Sequence, residues 1–116
     1  MKTLSVKYPW CEMIASGKKT IEVRSWKTSY RGPLLIASSA APKWEKAGKA
    51  VCIVDLVDVR PIEETDGPGS CLDSACEDDY AWELKNPRAC QPIAIKGKLS
   101  LYETAIDNEF INSIGR

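Results

Sequence analysis

Residues 51–59 read Val-Cys-Ile-Val-Asp-Leu-Val-Asp-Val, the longest strand pattern in the chain, and they require a fold built around a sheet. Side chains alternate faces along an extended segment, so Val51, Ile53, Val57 and Val59 are expected on one face. Asp55 interrupts that apolar set. A carboxylate there is costly unless paired, which calls for a basic partner or a place where a barrel opens. Other strand patterns surround this one. Residues 3–7 alternate weakly around Leu4 and Val6, residues 20–26 follow, and Leu34 to Ala37 is a continuous apolar run suited to a buried strand. Tyr80, Trp82 and Leu84 alternate with polar or small neighbours, and Ile93 to Tyr102 alternates again with Gly97 as a candidate bulge.

Helical signals are short. Pro9 suits the start of a helix whose apolar face is Trp10, Met13 and Ile14, and Gly17 suits its left-handed end. A turn spans Trp44 to Ala47 before Gly48, and residues 107–114 read as a terminal helix capped by Asp107. Five or six strands with two or three short helices make a small α+β fold, a mixed β-barrel occupying residues 1–116 as one domain.

The 44% hydrophobic and 28% charged content is ordinary for a globular chain and argues against disorder. No apolar run approaches the ~20 residues needed to span a bilayer, and no signal-peptide pattern opens the chain. A soluble, cytoplasmic protein with no membrane partner is expected. Five cysteines are an odd number, so a closed disulfide framework is not expected. Cys11 and Cys52 read as buried hydrophobes, while Cys71 and Cys76 share a polar loop. With no histidine and no Cys-x-x-Cys knuckle, neither a metal nor a cofactor is expected. The zero net charge conceals a polarity. Residues 1–50 hold ten Lys or Arg against three Glu, a balance of +7, and residues 51–116 hold six against thirteen acids, a balance of −7. Such halves can bind a polyanion on one side, or can interleave their charges on folding.

The segment Gly17-Lys18-Lys19-Thr20-Ile21-Glu22-Val23-Arg24 carries the chemistry. It lies where the helical pattern gives way to a strand, so Glu22, Arg24 and Trp26 share one face and Lys19 stands at its mouth. A carboxylate, a guanidinium and an indole on one face can grip a flat polar ligand. The plainer alternative is a solvated strand face with a Glu–Arg pair worth ~0.2–1 kcal/mol. Trp10 is expected in the core or as a pocket wall.

Together with the flanks Leu4 to Trp10 and Arg24 to Gly32, this segment closely resembles the ASCH family. The family's Gly-x-Lys-x-x-Glu-x-Arg signature is matched by Gly17, Lys19, Glu22 and Arg24, and Tyr80 to Arg88 and Pro92 to Gly97 are similar to its closing strands. The resemblance implies a PUA-like barrel whose side cleft receives a nucleobase or strand. RNA, single-stranded DNA or a modified nucleoside is then the implied partner, with Trp10, Lys19, Glu22, Arg24, Trp26 and Arg31 as the binding residues. Lys27 is a further candidate for phosphate and Tyr30 for stacking. A second implication is catalytic. Some bacterial relatives deacetylate acetylcytidine with a lysine and a threonine nucleophile, and others are ribonucleases. Lys19 matches the lysine, but Glu22 stands where the nucleophile would be, so a covalent route lacks its hydroxyl. Were the chain an enzyme, Lys19 and Glu22 would be its metal-independent catalytic pair; binding without catalysis is the leading expectation. Residues 61–79, with seven acids, two prolines and two glycines, are expected to be a solvated loop in preference to a protein-interaction surface, with one helical turn near Asp73 to Cys76.

Overall fold

The computed structural model describes residues 1–70 and 78–105. Its elements are β1 (Lys2–Val6), α1 (Trp10–Ala15), β2 (Ile21–Arg24), β3 (Gly32–Ser38), β4 (Ala50–Pro61), α2 (Gly67–Ser70), β5 (Tyr80–Ala89) and β6 (Tyr102–Glu103). A 3-10 turn over Glu64–Asp66 runs directly into α2. The six strands form one mixed sheet in the order β2-β5-β4-β3-β1-β6, in which only the β1–β3 pair is parallel. This is the α+β, PUA-like architecture with two short α-helices. The Asp107-capped helix, the turn near Asp73 to Cys76, and Cys71 and Cys76 fall outside the described residues.

The core explains the curl of the sheet. Leu34, Ile36, Val54, Leu56 and Trp82 are almost fully enclosed with Leu4, Val6, Cys11 and Ile14, so α1 packs onto the concave face. A smaller cluster of Leu35, Ala50, Ile53 and Cys90 fills the opposite face. Burial raises the Cys11 thiol, and pushes Cys52 up to about 12 and Cys90 up to about 11. All three are free thiols that stay protonated near neutral pH.

The strict alternation expected over residues 51–59 fails, and the reason is a set of bulges. Ile36 pairs with Cys52 and Ala37 with Ala50, which leaves Val51 without an opposite residue. Val51 and Cys52 therefore both reach the main core, while Ile53 joins the second cluster. Farther along, Leu56 pairs with Leu84 and Asp58 with Glu83, so Val57 is extra and points outward. A third irregularity lies on β5, where Asn86 takes φ 54°. Bulges bend strands and add twist, which is how two long strands curl into a barrel wall. Asp55 finds its basic partner across this bulge. Arg88 Nη2 lies 3.0 Å away and Asn86 Nδ2 donates at 2.9 Å, and the two hold its carboxyl below the usual range, Asn86 contributing most.

Two further expectations are corrected. Ile93 to Tyr102 is not a continuous strand: Ala94 makes an isolated bridge to Lys49, and regular pairing resumes only at Tyr102 and Glu103. Pro92 has no N–H to give a ladder, and Lys96, Gly97 and Lys98 supply no apolar face to bury. The acidic segment is also not wholly a solvated loop. Asp66 is buried, takes a two-pronged contact from Arg60 at 2.8 and 2.7 Å, and accepts the Glu63 N–H at 2.7 Å. Its neighbour α2 lies against the start of β2, where the Thr20 N–H donates to the Gly69 carbonyl at 2.9 Å. A Cβ on Gly69 would sit 2.9 Å from Thr20 Oγ1 and 3.0 Å from Ile21 Cδ1, so any larger residue there must push these two side chains aside.

Arg60 holds the Asp66 carboxyl below its ordinary value. A lowered folded-state pKa stabilises above the unfolded value of ~3.9 and is lost as pH falls through the folded one. Urea unfolding should therefore show a wild-type midpoint that drops as pH falls below about 4. Asp66→Asn should be less stable at pH 7 by roughly 1.5–3 kcal/mol and should lose less on acidification. An identical pH dependence in the two proteins would contradict this assignment.

Candidate functional site

The sheet is not sealed by backbone pairing. β2 lies at one edge and β1 beside the other, and β6 pairs with β1 only at Lys2 and Thr3. From Ser5 onward β1 therefore faces the free edge of β2 across an open seam. A side chain bridges it: Arg24 Nη2 donates to the Ser5 carbonyl at 2.9 Å.

Why Arg24 is held there follows from Glu22. Arg24 donates through Nε at 2.9 Å and Nη2 at 2.7 Å to Glu22 Oε2. On the other side, Lys19 Nζ lies 3.6 Å from Glu22 Oε1. Lys19 is only 2% exposed and Glu22 6%, so a buried Lys–Glu pair is joined by the partly exposed Arg24 to put two cations around one carboxylate. Lys19 also donates to the Ser70 carbonyl at the end of α2 and lies 5.5 Å from the centre of the Trp10 ring. Its backbone N–H reaches back to the Met13 carbonyl at 2.9 Å, past Gly17 in the left-handed conformation at φ 83°. The turn after α1 thus delivers Lys19 inward, and the strand then alternates Glu22, Arg24 and Trp26 toward the seam.

Around the seam lies a cleft of about 650 Å³, within the usual size range of ligand sites. Five of the six residues singled out from sequence line it: Trp10, Lys19, Glu22, Arg24 and Trp26. Trp10 is both core and wall, half-buried against the main cluster with a surface on the cleft. Trp26 packs its ring at 81° to Trp82, 4.7 Å between centres, and is also half-exposed to the cleft. Arg31 is elsewhere. It donates to the Thr28 and Tyr30 carbonyls at 2.8 Å each and lies 3.6 Å from Asp58, and it is not part of the cleft wall. Tyr30 donates its hydroxyl to the Pro33 carbonyl, and Lys27 stands 6.0 Å from the centre of the Tyr80 ring.

Sequence reading missed the opposite wall, formed by Ser5 of β1, Lys7 just beyond it, Ser39 after β3, and the Lys98–Ser100 segment. No local sequence pattern marks these positions as a wall of the cleft. The lining carries Lys7, Lys19, Arg24 and Lys98 against the single carboxylate of Glu22. Among the described residues, Lys7 and Lys98 form no ion pair. Three acids of the second half pair with its own arginines, Asp66 and Glu83 with Arg60, and Asp55 with Arg88. Pairs between the halves, Arg31 with Asp58 and Lys2 with Glu103, lie outside the cleft wall. No group of three or more Cys, Asp or Glu is placed to hold a metal among the described residues. Among them, no helix is long and apolar enough to cross a membrane.

A curled mixed sheet whose seam is bridged by side chains and opens into a basic cleft defines a PUA-like domain. The chain belongs to the ASCH family, whose domain matches residues 4–94. Human Activating signal cointegrator 1 is 35% identical over 71 residues, 60% of this chain, and the match spans only 12% of that protein. The crystal structure of ASCH from Zymomonas mobilis shares the fold with a TM-score of 0.64 at 16% identity, covering 96% of this chain and 90% of that one. A point mutant of the same protein gives a TM-score of 0.73 at 17% identity over 97% and 94%.

Removing one partner of a buried ion pair leaves the other charge uncompensated, at a cost of about 3–5 kcal/mol. Glu22→Ala should lower unfolding free energy by that amount, because both Lys19 and Arg24 lose their counter-charge. Gly69→Ala should displace the Thr20 and Ile21 side chains and cost roughly 1–3 kcal/mol. Urea titrations with unchanged m-values check both. A Glu22→Ala midpoint equal to wild type would show that the triad does not stabilise the fold.

Proposed function

We propose that this ASCH domain binds single-stranded nucleic acid, or a nucleoside within it, in the seam cleft. One observation carries the reading: in a chain of zero net charge, four cations and one carboxylate line the seam cleft. That excess meets phosphate, and the partly exposed faces of Trp10 and Trp26 offer stacking surfaces worth ~1–3 kcal/mol per base. A volume of about 650 Å³ suits an unstacked base better than a duplex. RNA is the polymer we favour, in keeping with the family resemblance.

The cleft residues divide by role. Glu22 is committed on both oxygens, to Lys19 on one and to Arg24 on the other. Its first task is therefore to hold the two cations, which supports binding over hydrolysis. Arg24 faces the cleft with about a quarter of its side chain exposed, so it can hold a ligand without leaving Glu22. Lys7 and Lys98 stand on the opposite wall as the freely hydrated phosphate contacts.

The test is a titration of a short single-stranded RNA at several salt concentrations. Dissociation constants of about 10⁻⁴–10⁻⁶ M at physiological salt are expected, tightening as salt is lowered. Two to three phosphate contacts predict a log–log salt slope of about −1.4 to −2.1, and Lys7→Ala should reduce it by about 0.7. Trp26→Ala should weaken binding without changing the slope. No binding at low salt, or a slope indifferent to Lys7, would overturn the proposal. Acetylcytidine should remain intact with wild-type protein, and rapid turnover lost in Lys19→Ala would replace binding with hydrolysis.

A further inference from the structure

A second cavity of about 370 Å³ adjoins the seam cleft. The two share Ser5, Ser39, Lys98 and Leu99 as common walls. Beyond that shared wall, the second cavity is bounded by Ser38, Ala40, Gly48, Ile95 and Gly97. Its chemistry differs from the first. Apart from Lys98 at the junction it has no charged residue, and its walls are small hydroxyl, glycine and aliphatic groups. The walls are also fixed. Ser38 Oγ accepts from Trp44 Nε1 at 2.8 Å and donates to the Ser39 carbonyl at 2.9 Å, while Ser5 Oγ and the Tyr102 hydroxyl are 2.7 Å apart. Gly97 brings the 96–100 segment so close to β1 that a Cβ there would stand 3.4 Å from Ser5 Oγ. Between the two spaces, Leu99 projects with 94% of its surface exposed.

We infer that the domain binds a dinucleotide step rather than an isolated nucleoside: one base in the seam cleft, the linking phosphate at Lys98, and the next nucleoside in the second cavity. This rests on the reading of the seam cleft given above and extends it to the ligand's length. The physical case has three parts. A phosphodiester joins two flat, largely neutral groups through one anion, and the two cavities join two spaces through one cation. The uncharged lining of the second cavity accepts a sugar and base but gives nothing to a second phosphate. Leu99 offers apolar surface at the junction, where a base face can cover it on binding.

The experiment is calorimetric titration of wild-type protein with three ligand types for each common ribonucleoside: the nucleoside, its 3′- and 5′-monophosphates, and the dinucleoside monophosphate. Charge alone favours the monophosphates, which carry more of it than a single phosphodiester. The inference predicts the reverse, with the dinucleotide bound at least about tenfold more tightly than either monophosphate. Ala40→Trp fills the second cavity from an exposed position outside the seam cleft. It should bring the dinucleotide to the affinity of the monophosphates, with nucleoside affinity and melting temperature as in wild type. Equal affinities for dinucleotide and monophosphates in wild type, or a dinucleotide preference that survives Ala40→Trp, would overturn the inference while leaving the seam-cleft reading intact. No binding by any of the three ligand types would remove both.

Discussion

The buried carboxylate of Glu22, held between Lys19 and Arg24, is the constraint on which the architecture of this domain turns. A charge enclosed at 6% exposure must be paired, and here its pairing fixes four chain segments at once. Lys19 ties the end of α1 to β2 and reaches the carbonyl that ends α2. Arg24 ties β2 to β1 through the Ser5 carbonyl. The sheet thereby curls to a seam that side chains, rather than a backbone ladder, hold together. A backbone ladder there would leave no space between the strands. Side-chain bridging keeps the edges apart and leaves a cleft.

Structure and recognition therefore share residues, and the sharing determines how each can be probed. Lys19 and Glu22 are almost wholly enclosed and act through what they position. Arg24 belongs to both tasks, so its removal confounds ligand contact with closure of the seam. Lys7 and Lys98 reach the cleft from the solvent side and carry no ion pair among the described residues, which makes them the clean electrostatic probes. Local charge, not net charge, is the relevant quantity. Arg60 and Arg88 pair with Asp66, Glu83 and Asp55 away from the cleft wall, and Lys7 of the first half with Lys98 of the second adds positive charge, unpaired among the described residues, to the cleft itself.

Much of this was legible in the order of residues, and the failures have definite causes. The signature segment encodes its own geometry: a glycine that turns the chain, then a strand whose period of two aligns Glu22, Arg24 and Trp26. The apolar run Leu34 to Ala37 is buried on both faces as its composition implies. Bulges defeated the reading of β4, because one extra residue at Val51 or Val57 reverses every side chain beyond it and leaves no mark in composition. Arg31 has the charge and the sequence proximity of a site residue, but local carbonyls together with Asp58 claim it instead. The acidic segment looked solvated because the partner that orders Asp66 is Arg60, on the preceding strand. The Ser70 carbonyl and the second wall of the cleft are long-range products of the fold, which no local pattern announces.

Amide chemical-shift mapping during titration with a short single-stranded RNA tests the central claim most directly, because it reads location independently of affinity. The account predicts perturbations on the two sides of the seam, at residues 5–7, 22–26, 39 and 98–100, and in the adjoining cavity at residues 38, 40, 48, 95 and 97, saturating together as one binding event. Perturbations centred instead on the outer surface around Val57, Asp58 and Lys85, with the seam residues unmoved, would contradict it.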